Sequence, residues 1–193
     1  MTAVEVVFLI FVLLFAIVGV VRGFLRELGV TIVMIVTLFA LDRLIPLVEQ
    51  LIRSGSLQAL GWQPYVGDAP TDPATQTALT VIFGLLTLAA TFVAYQGETL
   101  AFEGKSPAFP VGLILGALVG AVNGYLVVGT LWWLLDHFQY PLNIVQLPLS
   151  TVGQEIVDNR LLPLDLLASG TQNQEMGLLP VILIVLILLR VVR

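Results

Sequence analysis

The sequence predicts an all-α, polytopic integral membrane protein with four or five transmembrane helices and additional interfacial amphipathic helices. Of the 193 residues, 58% are hydrophobic and only 11% are charged, whereas a soluble domain carries about 25% charged residues. The mean hydropathy is +1.02. The apolar residues are gathered into runs long enough to cross a hydrocarbon core of roughly 30 Å. These three observations favour a membrane protein over any soluble class.

Composition also excludes several kinds of function. The chain has no cysteine and a single histidine, so thiolate chemistry and multi-histidine metal sites are excluded for this chain alone. The formal net charge of −5 argues against nucleic acid as a partner, because nucleic-acid binding needs a basic patch. No phosphate-binding loop, dinucleotide fingerprint or nucleophile–base pair is present. We therefore predict no enzyme, no cofactor and no metal.

The first span is predicted at residues 3–21 and contains Gly19, which forms a small-residue strip with Gly23. Gly23 is expected to break the helix. The connection that follows carries Arg22, Arg26 and Glu27. We interpret it as an ordinary positive-inside anchor, and the alternative is a site for a lipid phosphate or a gate.

The second span is predicted at residues 28–48, and its end is open to two interpretations. Asp42 and Arg43 either mark its polar end, or they form an intramembrane ion pair on a solute path. Adjacent helical residues do not face each other, so termination is favoured. Beyond Pro46 the spacing is amphipathic, so the chain either bends into the interface or continues as one span.

The third span is predicted at residues 75–95, after a helix start at Asp72-Pro73. Its polar members are mostly threonines, which can satisfy their hydroxyls within their own helix. One face therefore carries four small or hydroxylated residues suited to packing, namely Thr80, Gly84, Thr87 and Thr91. We expect this face to pack against the glycines of the next span.

The fourth span, residues 111–135, has a glycine at every fourth position, so these residues share one helical face. The set is Gly112, Gly116, Gly120 and Gly124. Glycines inside a membrane helix allow a neighbouring helix to approach closely. Asn123 is expected to form a hydrogen bond with a threonine of the third span, and the alternative is that it lines a pore. His137, at the end of the span, is interpreted as a headgroup-level residue, with ligation of a haem or pigment as the alternative.

Residues 136–177 are predicted as an extramembrane amphipathic segment. Thr151 and Gln154 resemble a capping box, and the helix that starts there is expected to stop and change direction at Pro163. A last apolar run at residues 178–192 is predicted as a fifth span, and the alternative is an interfacial or partner-buried helix.

The basic residues predict the orientation, since Lys and Arg are enriched in cytoplasmic loops. The set assigned to the cytoplasm is Arg22, Arg26, Lys105, Arg190 and Arg193, and the opposite set is Arg43, Arg53 and Arg160. The N-terminus is therefore predicted outside and the C-terminus in the cytoplasm.

Two stretches resemble the CvpA family of colicin V production proteins. FVLLFAIVGVVRGFLRELGVTIVMI is similar to the first hairpin of that family, in Gly19, Gly23, Phe24, Arg26, Glu27 and Leu28. Gly116, Gly120 and Gly124 fit its repeated glycines, and NRLLPLDLL resembles its amphipathic tail, so the likeness covers residues 4–167. The family tends to place charges before the glycine run and an Arg before its last glycine, where this chain has Pro110-Val111 and Asn123.

The resemblance implies a bacterial inner-membrane protein associated with toxin production or export. The function we predict is a non-enzymatic packing or assembly subunit, in contact with the lipid bilayer and with itself or other membrane proteins. One alternative is a small-solute or ion channel or carrier, which needs a continuous polar path. Another is an accessory subunit of a larger energy-converting membrane complex, in which His137 touches a cofactor.

Overall fold

A computed structural model describes residues 3–57, 72–96, 107–142 and 149–168, and residues 178, 181, 182 and 185 of the last apolar run. Within these residues the chain forms helices and turns and no strand. The six helices are α1 (Ala3–Arg22), α2 (Phe24–Arg53), α3 (Pro73–Gln96), α4 (Val111–His137), α5 (Thr151–Asp158) and α6 (Pro163–Ala168). The first four are long and apolar enough to cross a membrane, judged by length and composition. The all-α, polytopic fold class is therefore confirmed.

A single residue separates α1 from α2. Gly23 has φ 88° and ψ 154°, a backbone conformation that is essentially restricted to glycine. Near its end α1 contacts Gly116 and Gly120 of α4, and near its start it contacts Gly129, so it runs antiparallel to α4. Helix α2 runs parallel to α4, because Glu27 meets Asn123 and Glu49 meets His137. The chain thus reverses its direction relative to α4 at Gly23.

Helix α2 continues without interruption to Arg53, so the helix neither ends at Asp42 and Arg43 nor breaks at Pro46. Pro46 lies inside the helix with its ring exposed. Proline has no N–H to donate to the carbonyl four residues earlier. In membrane helices this loss is tolerated when other groups donate to that carbonyl. The opposite side of α2 forms the centre of the core and is fully buried, at Met34, Leu38, Leu41 and Ile45.

Helix α3 starts where the Asp-Pro signal predicts it. Asp72 Oδ2 accepts hydrogen bonds from Thr75 N at 3.0 Å and Thr75 Oγ1 at 2.9 Å. These bonds stabilise the carboxylate and lower the pKa of Asp72 below its ordinary value. Helix α3 runs antiparallel to α2, since Tyr95 near its end meets Glu27 near the start of α2.

The segment after α4 folds back onto the bundle. Ser150 caps α5 by accepting a hydrogen bond from Gly153 N, so the cap lies one residue before the predicted Thr151. Pro163 begins α6, and its ring contacts the position that a Cβ of Gly129 would take. Tyr125 Oη donates to Leu161 O at 2.6 Å. Most of the predicted fifth span, 178–192, lies outside the described residues.

Candidate functional site

The glycine face of α4 lies directly against the backbone of α1. A Cβ on Gly116 would lie 2.6 Å from Gly19 O, and one on Gly124 would lie 2.9 Å from Val12 Cα. A Cβ on Gly120 would overlap Phe15 O and lie 3.0 Å from Gly19 Cα. No real side chain tolerates such distances, so these glycines are what lets the two helices touch. The expectation that α3 packs against these glycines is therefore wrong, because α1 packs against them instead.

Two glycines at the ends of this interface have different surroundings. Gly112 does not meet another helix, because a Cβ there would overlap the carbonyl oxygen of Pro107, which precedes α4. Gly19 faces α4 reciprocally, since a Cβ there would overlap Gly116 O. The close backbone contact between the two helices thus involves Gly116, Gly120 and Gly124 of α4.

The threonine face of α3 packs elsewhere. Thr80, Thr87 and Thr91 are buried, and each hydroxyl donates to the carbonyl four residues earlier. Thr91 Oγ1 also lies 3.5 Å from Met34 Sδ of α2. At Gly84 the nearest atom to a Cβ would be Leu131 Cδ2, at 3.8 Å, an ordinary van der Waals distance. Helix α3 therefore meets α2 and α4 through side chains rather than through backbone.

A completely buried carboxylate lies at the level where α1, α2, α3 and α4 meet. Glu27 is 0% exposed. Its Oε2 accepts hydrogen bonds from Tyr95 Oη at 3.0 Å and from Asn123 Nδ2 at 2.8 Å. Its Oε1 accepts no hydrogen bond within the described residues. Arg22 Nε, 3.3 Å away, is the ion-pair partner of that oxygen but does not approach along a hydrogen-bonding direction.

Further contacts make this carboxylate part of a four-helix cluster. Arg22 Nη1 donates to Tyr95 O at 2.9 Å, and the guanidinium lies 4.5 Å from the centroid of the Tyr95 ring. Asn123 Nδ2 also donates a hydrogen bond to Glu27 O at 3.0 Å. Thr31 Oγ1 donates a hydrogen bond to Asn123 Oδ1 at 2.7 Å. We call Arg22, Glu27, Thr31, Tyr95 and Asn123 the Glu27 cluster.

The cluster corrects one expectation and adds to another. Asn123 bonds with Glu27 and Thr31 of α2, not with a threonine of the third span. Glu27, assigned with Arg22 and Arg26 to an interfacial anchor, is completely buried among the helices. Sequence carried one signal for this: Glu27, Thr31, Met34 and Leu38 recur at helical spacing, so the carboxylate shares the buried face of α2.

Two further pairs of ionisable residues involve the later part of α2. Arg43 Nε lies 3.5 Å from Asp42 Oδ2, so these adjacent side chains do meet, against the expectation. His137 Nε2 lies 2.9 Å from Glu49 Oε1, and its ring stacks on Trp133. The single histidine is therefore engaged in joining α4 to α2.

Beyond the end of α4, burial raises the pKa of the Tyr140 phenol well above its ordinary value. Trp132 Nε1 donates a hydrogen bond to the Tyr140 oxygen at 3.1 Å, which partly offsets this effect by stabilising the phenolate. Near the start of α1, Glu5 is 2% exposed and accepts a hydrogen bond from Ser150 Oγ. This bond ties the capping residue of α5 to α1.

An apolar groove of ≈ 490 Å³ runs between α1 and α3 over α4. Its lining includes Phe8, Phe11, Phe15, Leu88, Thr91 and Trp132. The groove exists because α1 packs mainly on α4, which leaves α1 and α3 apart. Almost all of its surface is hydrocarbon, so it offers a place for apolar groups and not for a polar solute.

Four long apolar helices, packed through small residues and a buried polar cluster, define a multi-pass α-helical membrane protein. Residues 4–158 match the family described as Colicin V production protein. Because this match covers most of the chain, the protein belongs to the Colicin V production (CvpA) family. No curated protein and no solved structure matches the chain.

Proposed function

We propose that this protein is a non-enzymatic assembly subunit of the bacterial inner membrane. It contributes apolar helix faces to a complex with a second copy of itself or with another membrane protein. The name of its family suggests that the complex serves the production or export of a toxin. We also propose that the N-terminus is outside and the C-terminus is in the cytoplasm.

The observation that carries the proposal is the outward surface of α1. The small-residue side of this helix is occupied by the glycines of α4, so a partner has to bind a different surface. The outward side is apolar and no other described residue covers it, with Leu13 64%, Ile17 53% and Val21 80% exposed. Leu13, Ile17 and Val21 are four residues apart and form one stripe.

Cysteine cross-linking tests this proposal, and the natural chain has no cysteine to interfere. Leu13→Cys and Ile17→Cys, in membranes under mild oxidation, are expected to give disulfide-linked dimers or cross-links to one co-purifying membrane protein. Leu85→Cys on α3, 60% exposed, is the matched control and is expected to cross-link less. A chain that stays monomeric in mild detergent, without partner and without cross-links, would contradict the proposal.

Labelling in intact cells tests the orientation independently. Ser56 follows α2 and Gln96 ends α3, and both are exposed. In the proposed orientation these positions lie on opposite sides of the membrane. A membrane-impermeant maleimide should label Ser56→Cys before lysis and Gln96→Cys only after lysis. The reverse pattern would overturn the proposed orientation.

A second candidate function is a carrier or channel for a proton or small ion, and the Glu27 cluster favours it. Ionisable residues inside a membrane frequently mark such paths. The buried face of α2 beyond the cluster is apolar, at Met34, Leu38 and Leu41, which favours the assembly role. Flux measured in reconstituted vesicles separates the two candidates, since an assembly subunit gives no flux above that of empty vesicles.

A further inference from the structure

We propose that Glu27 is a proton-binding site, and that protonation releases the end of α1 from the other three long helices. This inference does not depend on the assembly role. The titratable groups that face the carboxylate are Arg22 from α1 and Tyr95 from α3, while α4 contributes the amide of Asn123.

The two carboxylate oxygens have different surroundings, and this difference selects where a proton binds. Oε2 already accepts two hydrogen bonds, from Tyr95 and Asn123. Oε1 is buried and accepts none within the described residues. A protonated carboxyl group keeps acceptor capacity on its other oxygen. A proton on Oε1 therefore leaves both bonds to Oε2 in place and removes only the negative charge that Arg22 faces.

Protonation then makes Arg22 the uncompensated charge. Its side chain is 22% exposed, so the guanidinium can move into water, whereas Glu27 cannot. Its other contacts are with the carbonyl and ring of Tyr95 in the last turn of α3, and neither carries a charge. Removing one partner of a buried ion pair is strongly destabilising because it leaves the other charge unpaired.

The position of Arg22 couples this event to a helix. Arg22 is the last residue of α1, directly before Gly23, whose conformation lets the chain reverse. On α4 the same end of α1 faces the backbone of Gly116 and Gly120. Arg22 joins this end to α2 and α3 by polar contacts, through the Glu27 carboxylate and the carbonyl of Tyr95, and protonation of Glu27 weakens the first of these.

Two spin labels measure the release in the full chain, reconstituted in lipid bilayers. Val21→Cys on α1 and Val93→Cys on α3 are 80% and 65% exposed, so both positions accept a label. In the protein with an unchanged Glu27 cluster, acidification is expected to produce a second, broader distribution of the distance between the two labels. In Glu27→Gln the broader distribution should be present at every pH, and at neutral pH its population should be about tenfold or more above that in the protein with Glu27. A tenfold change in the population corresponds to about 1.4 kcal/mol, and removing one partner of a buried ion pair typically costs more than that.

The matched control is Glu49→Gln, the same chemical change at the other end of the same helix, which should leave the pH response between the labels intact. Arg22→Gln keeps the carboxylate but removes the attachment, and it should release α1 at every pH even where Glu27→Gln fails to fold. Infrared difference spectra should show a protonated carboxyl band on acidification that Glu27→Gln removes. A pH response that persists in Glu27→Gln, or an unaltered distance in Arg22→Gln, would overturn the proposal.

Discussion

Replacing Gly120 with alanine adds one methyl group where the backbones of α1 and α4 are in contact. Its Cβ would overlap the carbonyl oxygen of Phe15 and lie 3.0 Å from Gly19 Cα and 3.2 Å from Ala16 Cα. All three are backbone atoms, so no side chain can rotate away and α1 itself has to move. Overpacking of this kind typically costs about 1–3 kcal/mol, against a gain of up to about 1 kcal/mol in helix propensity.

Gly84→Ala is the matched control, because it makes the same chemical change in a membrane helix without the clash. The nearest atom to its Cβ is Leu131 Cδ2 at 3.8 Å. We expect the free energy of unfolding, measured by denaturant titration in mixed micelles, to fall by about 1–2 kcal/mol for Gly120→Ala. For Gly84→Ala it should stay unchanged or rise by up to about 1 kcal/mol. Equal stability of the two variants would refute the assignment of Gly120 to the α1 interface.

Three further predictions use the same unfolding assay. Gly23→Ala should lose about 1–3 kcal/mol, because alanine is strained at φ 88° and ψ 154°, and an unchanged value would mean that the chain does not reverse there. Asn123→Leu should lose roughly 1.5–3 kcal/mol, since it removes the amide that donates to the Glu27 carboxylate, and a more stable variant would contradict that bond. Asp72→Ala should be less stable than the natural chain above the unfolded-state pKa of about 3.9. Because the folded-state pKa of Asp72 is lowered, the difference should close as the pH falls through that lower value, and a difference independent of pH would contradict the cap.

Hydropathy was sufficient to predict where the long helices lie. The predicted spans at 3–21, 75–95 and 111–135 fall within α1, α3 and α4, since each is a long apolar run between polar segments. The second predicted span, 28–48, lies inside α2, and the helix extends beyond it at both ends. A helix can continue past an adjacent pair of charges when their side chains reach the surface, and Arg43 does so with 58% of its side chain exposed.

Pairing between the helices could not be predicted in the same way. A glycine face on a helix predicts that another helix approaches closely, but it does not predict which helix does so. The threonines of α3 looked complementary, yet their hydroxyls donate within their own helix. Helix α1 brings Gly19 instead, and two facing glycines allow a closer approach than glycine against threonine.

The Glu27 cluster was missed for a related reason. Arg22 and Arg26 next to an apolar run resemble a cytoplasmic anchor, and this pattern conceals an acidic residue that points inward. Only the short connection at Gly23 places Glu27 one turn into α2 and within reach of Tyr95 and Asn123. Contacts across roughly 70 to 100 positions of sequence depend on the three-dimensional arrangement, which no local pattern contains.

Solid-state NMR of the protein labelled at its glycines and threonines, in lipid bilayers, tests the packing of α1 on α4 most directly. The account predicts through-space cross-peaks between the Cα of Gly19 and the Cα of Gly116 and Gly120, because these atoms are close enough to exclude any side chain. Cross-peaks from Gly116 and Gly120 to Thr87 of α3, with none to Gly19, would contradict it.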